Sequence, residues 1–273
     1  MPLRNLQSQL LRRLASHRSP DSYVAGGIAI NREGPRFSAD IDIFQDGDER
    51  LAAIAENDGA VMVAAGFEVA WLPARGTGKR AAIVRGLGEV TQLEWVADAD
   101  FRFFPAVRDE LFGYVLHPAD LATNKAAAAA DRRVPRDIVD LVTIHETILP
   151  LGAVISAAVG RFLGMSPEEM LDEIRRHGTF TADEFQVLAT DKPLDPRALH
   201  KRIRAMLDDA AAFLTRLPSE AVGVVFLDGD KVVQPDTENL GRYRRHEGAR
   251  RGHWPSSPEI GTAMLERYGK PHS

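Results

Sequence analysis

The stretch that most constrains this chain is Asp40-Ile41-Asp42-Ile43-Phe44, in which polar and apolar residues alternate. In a β-strand this alternation points both carboxylates to one face and both isoleucines to the other. Two like charges side by side need a cation. Because paired carboxylates suit Mg²⁺, which keeps several waters and shares its other positions with phosphates, the stretch predicts a metal and nucleotide site.

The composition is typical of a globular protein, with 44% hydrophobic and 27% charged residues in 273. Cysteine is absent, which excludes disulfides and thiolate metal sites and favours a cytoplasmic location. A formal net charge of -5 argues against a protein that coats nucleic acid indiscriminately. Contact with nucleic acid therefore requires local basic patches.

Neither apolar segment of the chain predicts a membrane protein. The first leucines are interspersed with arginines at helical spacing, which indicates an amphipathic helix and not a signal peptide. Residues 148–160 are the most apolar, but Pro150 and Gly152 interrupt them and they fall short of the ~18 residues of a membrane span. We expect a buried helix there and no membrane contact.

A glycine pair precedes the carboxylate stretch. Residues 23–25 have the pattern of a short strand that leads into Gly26-Gly27 and then a helix. Such an arrangement lets backbone N–H groups approach a phosphate, although a glycine pair alone is as often a simple turn. Arg36 and Ser38 lie just before the carboxylates, where they can reach a triphosphate or remain on the surface.

Downstream, an alanine-rich helix over 48–65, with a break at 57–59 as an alternative, is followed by three strand-like segments. In the last of these, Glu94 is opposite in phase to its apolar neighbours and predicts a third metal carboxylate on the face of the aspartate pair. Asp98 and Asp100 are alternatives for that role. The strand-like segments are 67–72, 80–85 and 89–96.

A second group of polar residues lies on two predicted helices. The first begins near Pro118 and carries Lys125, followed by five alanines that allow close packing. The second begins at Pro135 and carries Asp137 and Asp140 three residues apart, on one face. A surface lysine and a carboxylate that stabilises a helix N-terminus are the alternative interpretations.

The C-terminal half predicts helices, one hairpin and a basic tail. Capping boxes at 166–169 and 181–184 predict two short helices, and a longer one begins at Asp195-Pro196. Asp228-Gly229-Asp230 between apolar runs predicts a β-hairpin. Residues 241–251 contain five arginines, near Tyr243 and Trp254, and could bind RNA by charge and stacking or form an unstructured tail.

Together these motifs resemble the nucleotidyltransferase superfamily, in which a glycine pair or Gly-Ser precedes an Asp-hydrophobic-Asp strand. Within it the chain resembles the AbiEii/AbiGii abortive-infection toxins, over about half its length. The resemblance rests on the glycine pair at 26–27 and on three segments: RFSADIDIF at 36–44, DLATNK at 120–125 and RDIVDL at 136–141.

The resemblance implies an α/β (α+β) fold, with a nucleotidyltransferase-like mixed sheet flanked by helices, and the patterns of the second half add a helical part and a β-hairpin. The chain is thus predicted to divide into a core at 1–118, a helical region at 119–217 that completes the site, and a hairpin with an Arg-rich tail at 218–273. The reaction that the resemblance implies transfers a nucleotidyl group from an NTP, with one or two Mg²⁺ ions, to an acceptor hydroxyl. In such a toxin the acceptor can be RNA, with tRNA as the first candidate, and a cognate antitoxin protein can be a partner.

Roles follow from the resemblance by position. Metal ligands are Asp40 and Asp42, with Glu94 as the third carboxylate, and both aspartates count among the catalytic residues. Many relatives have serine at the position of Gly27, so a hydroxyl contact to phosphate is missing here. The remaining implied site residues are Gly26, Gly27, Arg36, Ser38 and Lys125 for the NTP, and Lys125, Asp137 and Asp140 for catalysis.

Two other functions remain open at this point. The acceptor hydroxyl can belong to a protein or a small molecule instead of RNA. A nucleotide-binding module without catalysis can use the same fold, although the presence of both aspartates together with Lys125 argues against it.

Overall fold

A mixed seven-stranded sheet with helices on both sides forms the first half of the molecule, and a helical bundle forms much of the second. The computed structural model describes residues 3–32, 34–74, 76–162 and 164–255. The α-helices are α1 Asn5–Leu14, α2 Gly26–Ile30, α3 Leu51–Ala64, α4 Pro118–Asp131, α5 Pro135–Thr147, α6 Leu151–Arg161, α7 Pro167–His177, α8 Ala182–Gln186 and α9 Pro196–Leu214.

The strands form three sheets. The main sheet has the order β3-β4-β5-β2-β1-β8-β7, β10-β9-β11 form a second, and β12 pairs with β6. The bounds are β1 Ser22–Ala25, β2 Asp40–Asp46, β3 Glu68–Trp71, β4 Lys79–Gly86, β5 Glu89–Asp98, β6 Phe101–Arg102, β7 Val107–Asp109, β8 Gly113–Val115, β9 Val225–Asp228, β10 Lys231–Val233, β11 Arg244–His246 and β12 Ala249–Arg250. The predicted mixed sheet flanked by helices and the hairpin 225–233 are confirmed.

Strand β2 lies in the centre of the main sheet, antiparallel to β1 and parallel to β5. The side chains alternate as predicted, with Ile41 and Ile43 fully buried against α1 and α3. On the opposite face Asp40 and Asp42 are only half-buried. Burial of the isoleucines therefore fixes the orientation of both carboxylates, because a shift by one residue would place charge in the core.

Helices α4, α5, α6, α7 and α9 share a second core on the carboxylate side of the sheet. The alanines of α4 allow the close approach of α6 and α7. Helix α6 is almost wholly buried, as expected for the apolar segment. No helix in the described residues is by itself long and apolar enough to cross a membrane; α5 and α6 together meet the criterion, with a bend of 113° between them.

Helix α3 runs without a break, so the alternative of a break at 57–59 is wrong. Gly59 lies under the ring of Trp71, where a Cβ atom would come within 2.6 Å of Cζ2. Asp58 is fully buried and accepts hydrogen bonds from the Arg18 guanidinium and from Trp95 Nε1, with His17 Nδ1 at 3.0 Å. Both residues are thus explained by packing across α3, and neither marks a loop.

The Arg-rich segment 241–251 is folded against the rest of the chain. β11 pairs with β9 and β12 with β6. Arg250 pairs with Asp100, and Arg251 lies 3.4 Å from Asp21. His246 is buried and stacks on Phe104, with ring centroids 4.5 Å apart. The alternative of an unstructured tail is therefore wrong for residues 241–251.

Candidate active site

The two groups of polar residues meet in one pocket between the sheet and helices α2, α4 and α5. Its volume is about 350 Å³. Five cationic and three acidic side chains line it, so the pocket suits an anion that is held beside a carboxylate group. The charged residues are Arg36, Lys79, Lys125, Arg132, Arg136, Asp40, Asp42 and Glu94.

The Asp40 and Asp42 carboxylates form the acidic side of this pocket. Ser38 Oγ donates to Asp40 Oδ1 at 2.8 Å, and Arg136 Nη1 lies 3.8 Å from Asp40 Oδ2. Burial raises the pKa of Asp42 to about 7, and the charges of Asp40 and Glu94 add to the effect. Within the described residues no donor hydrogen-bonds to the Asp42 carboxylate. The nearby Lys125 and Arg136 offset this rise in pKa only in part, so negative charge remains concentrated at the pair.

The two glycines are required by close contacts at the site. Gly26 has φ +69°, and a Cβ atom there would come within 1.8 Å of Asp42 Oδ2. A Cβ atom on Gly27 would lie 2.6 Å from Arg36 Nη2 and 3.0 Å from Ser38 Oγ. Helix α2 has only five residues, so its dipole contributes less to phosphate binding than the sequence suggested. The glycines instead make room for Asp42 and Arg36.

Glu94 lies on the same side of the sheet as the aspartate pair, and its role as a third metal carboxylate stays a prediction. It is the register partner of Asp42 on the parallel strand β5, so both side chains are on the same face of the sheet. Its carboxylate is held by Lys79 Nζ at 2.6 Å and by Gln92 Nε2 at 2.6 Å. The alternatives are elsewhere: Asp98 pairs with Arg161, and Asp100 with Arg250.

Lys125, Asp137 and Asp140 meet as predicted. Lys125 Nζ lies 2.8 Å from Asp137 Oδ1 and 3.0 Å from Asp140 Oδ2, and its amine lines the pocket. Burial alone would lower the pKa of Lys125, but Asp140 and Asp137 outweigh it and raise the pKa. Both aspartates are buried behind the lysine. They position the cation and do not line the pocket themselves.

Arg36 is held in the same way. Its Nε and Nη2 donate to the two oxygens of Asp140 at 3.0 and 2.9 Å. Asn31 Nδ2 donates to Asp140 Oδ1 at 2.7 Å. Asp140 therefore fixes two cations, Arg36 and Lys125, on one side of the pocket. Ser38 is buried and bonds to Asp40, which places it beneath the carboxylates and not against a triphosphate.

Four of the polar pocket residues are not among the site residues predicted from the sequence. Lys79 begins strand β4, one residue ahead of the predicted segment 80–85, while Asn124, Arg132 and Arg136 lie in or beside the predicted helices. Arg132 follows Lys125 by seven residues, which is two helical turns, and this spacing is a signal that was available. The position of Lys79 depends on the pairing of β4 with β5, which no local pattern specifies.

The donor set fits a magnesium ion. Across the described residues no group of three or more acidic or histidine side chains is arranged to enclose a metal. Asp40 and Asp42 would supply two oxygen ligands on one face and leave the other positions to water and phosphate, as Mg²⁺ prefers. Burial, together with the charges of Asp40 and Glu94, raises the pKa of Asp42, and a bound cation would favour its ionised form.

Comparison with solved structures shows a nucleotidyltransferase fold. The chain is similar to MenT4, a nucleotidyltransferase toxin from Mycobacterium tuberculosis H37Rv, with 20% identity, a TM-score of 0.53 and coverage of 79% of this chain and 83% of that one. JHP933 from Helicobacter pylori has 13% identity, a TM-score of 0.44 and coverage of 76% and 89%. No protein-family model and no curated protein matches the chain.

Proposed function

We propose that the protein is a Mg²⁺-dependent nucleotidyltransferase that moves a nucleotidyl group from an NTP to an acceptor hydroxyl. The observation that carries the proposal is one pocket in which Asp40 and Asp42 lie beside Glu94 and face five cationic side chains. Carboxylates for a metal and cations for phosphates are the two requirements of phosphoryl-type transfer. The fold shared with MenT4 supports the same reaction class.

Phosphate binding and metal binding are assigned to opposite sides of the pocket. Lys125 and Arg36, held by Asp140, bind the phosphates, and Arg132 and Arg136 add charge at the rim. Bound at Asp40 and Asp42, Mg²⁺ would supply Lewis-acid activation and neutralise charge on the phosphates. The acceptor oxygen bonds to the α-phosphorus, the bond from that phosphorus to the bridging oxygen of pyrophosphate breaks, and the hydroxyl proton passes to solvent.

For the acceptor we propose an RNA, with tRNA as the first candidate, and for the biological role a toxin of the AbiEii/AbiGii type restrained by an antitoxin protein. The sequence motifs at 36–44, 120–125 and 136–141 support the family assignment. That MenT4 is a nucleotidyltransferase toxin supports the role. Because most arginines of 241–251 already pair with acidic groups, we place the RNA contact at the pocket rim and not on this segment.

The test is to incubate the protein with each α-labelled NTP and Mg²⁺, together with total tRNA in one series and a protein extract in another. We expect labelled tRNA and release of pyrophosphate. Asp42→Asn should abolish labelling, whereas Asp208→Asn, an exposed carboxylate on α9, should not change it.

The outcomes separate the parts of the proposal. Labelled protein without labelled RNA would overturn the RNA acceptor and retain the transferase. Full activity of Asp42→Asn with Mg²⁺ would overturn the site assignment. Nucleotide binding without any labelled product would favour the non-catalytic alternative.

A further inference from the structure

A second, larger cavity continues directly from the candidate active site. It measures about 720 Å³, and four residues line both cavities: Phe44, Val96, Asn124 and Ala128. The carboxylates and cations that would bind metal and phosphate line the smaller cavity. A ligand held there can therefore extend into the larger space without leaving the protein.

Phe44 forms an aromatic wall where the two cavities meet. It follows Asp42 by two residues on β2 and lies on the same face of the strand, about 7 Å further along. Its ring is half-buried and backed by Tyr23, with ring centroids 6.4 Å apart. Phe162 and Met165 line the same cavity. Flat aromatic surfaces of this kind bind nucleobases by stacking.

Asn124 supplies a polar group at the same junction. It precedes Lys125 on α4, and its Oδ1 atom is buried without a hydrogen-bond partner among the described residues. The Asn124 side chain lines both cavities, and its amide carries both a donor and an acceptor. Nucleobase edges present groups of both kinds.

The charge of the larger cavity differs from that of the smaller one. Its lining includes three carboxylates, Asp98, Asp131 and Glu173, and one arginine, Arg176. This composition disfavours a polyphosphate or a nucleic-acid backbone, because both are strongly negative. An uncharged base fits better, so the two cavities would bind opposite ends of one nucleotide.

We propose that the larger cavity receives the base of the NTP, with Phe44 as its stacking surface and Asn124 as its polar contact. This inference rests on the proposed nucleotidyltransferase function. Because the amide can donate or accept, this contact fits the edge of any of the four bases.

The experiment measures binding to the full chain by calorimetry, in Mg²⁺, of ATP, CTP, GTP, UTP and inorganic tripolyphosphate. Phe44→Leu should weaken binding of all four nucleotides by about tenfold and leave tripolyphosphate unchanged. Asn124→Ala should weaken binding of the nucleotides by about fivefold and leave tripolyphosphate unchanged. Phe101→Leu and Asn57→Ala, an aromatic and an amide outside both cavities, are matched controls.

Each outcome decides the assignment. If the nucleotides bind no better than tripolyphosphate, the base is not held in the cavity, and the inference fails while the transferase stands. The inference also fails, and the transferase stands, if both variants bind nucleotides normally but require more RNA for half-maximal transfer. That result would show that the cavity holds the acceptor. If neither tripolyphosphate nor any NTP binds, the proposed function itself fails. Should Phe44→Leu unfold, Asn124→Ala tests the assignment alone.

Discussion

Two aspartates, Asp42 on strand β2 and Asp58 on helix α3, show opposite uses of an acidic side chain. Asp58 is fully buried and is contacted by Arg18, Trp95 and His17. Asp42 accepts no hydrogen bond from the described residues. Burial and the charges of Asp40 and Glu94 raise its pKa to about 7. A carboxylate whose hydrogen bonds are formed within the chain stabilises the fold, whereas a carboxylate without such bonds beside a cavity is available to a ligand.

The strongest test of this difference is Asp42→Asn. We expect a loss of transferase activity on the order of 10³-fold, because a metal-binding carboxylate is removed. The free energy of unfolding should stay the same or rise slightly, since no hydrogen bond is lost and repulsion from Asp40 is relieved. Activity assays and urea unfolding of the same preparation measure both; a clear loss of stability would show that Asp42 belongs with Asp58.

The converse variant is Asp58→Asn. It leaves the Arg18 guanidinium buried without its anion, which we expect to cost about 3–5 kcal/mol of unfolding free energy. Activity per folded molecule should be unchanged. Urea unfolding gives the stability, and active-site titration gives the folded fraction. A stable but inactive variant would contradict the purely structural role.

Asp140 lies between these extremes. Its carboxylate is buried and bonded to Arg36, Lys125 and Asn31, while both cations line the pocket. Asp140→Asn should therefore lower both stability, by about 2 kcal/mol, and tripolyphosphate binding, by about tenfold. Glu146→Gln, which breaks the exposed pair with Arg202, is the matched control and should change neither. A change in stability alone would remove the positioning role.

The smallest predicted effect concerns His117, a partly buried histidine that stays neutral in the folded protein. Burial, with a contribution from His246, lowers the pKa of His117 to about 4, while its ring stacks on Phe104 at 4.0 Å. The folded state therefore resists protonation that the unfolded chain accepts near pH 6.5, so this contribution to stability is full above pH 6.5 and is lost as pH falls towards 4. Unfolding free energy should fall by about 1–2 kcal/mol more between pH 7 and 5 than in His117→Asn. Equal slopes would contradict this.

The sequence predicted the acidic half of the site well because that half is local. Alternation along β2 orients Asp40 and Asp42, and the same rule applied to β5 puts Glu94 on their face, although it leaves Asp98 as an alternative. The position of Asp137 and Asp140 on one face of α5 also follows from helical spacing. Each of these arguments needs only neighbours within a few residues.

The other features of the site, and the unbroken helix α3, depend on contacts between segments that are distant in the sequence. Arg36 is fixed by Asp140, more than a hundred residues away, so its burial has no local signal. Lys79 reaches the pocket only through the pairing of β4 with β5. Asp58 has the sequence context of a turn, but tertiary contacts to Arg18 and Trp95 keep the helix intact. Local propensity is weaker than such long-range packing.

The contact between Gly27 and Arg36 has an evolutionary consequence. A side chain at position 27 would occupy the space that the Arg36 guanidinium fills, so a serine there requires the arginine to move or to be replaced. In homologous sequences the two positions should therefore vary together, with glycine accompanying arginine and serine accompanying a smaller residue.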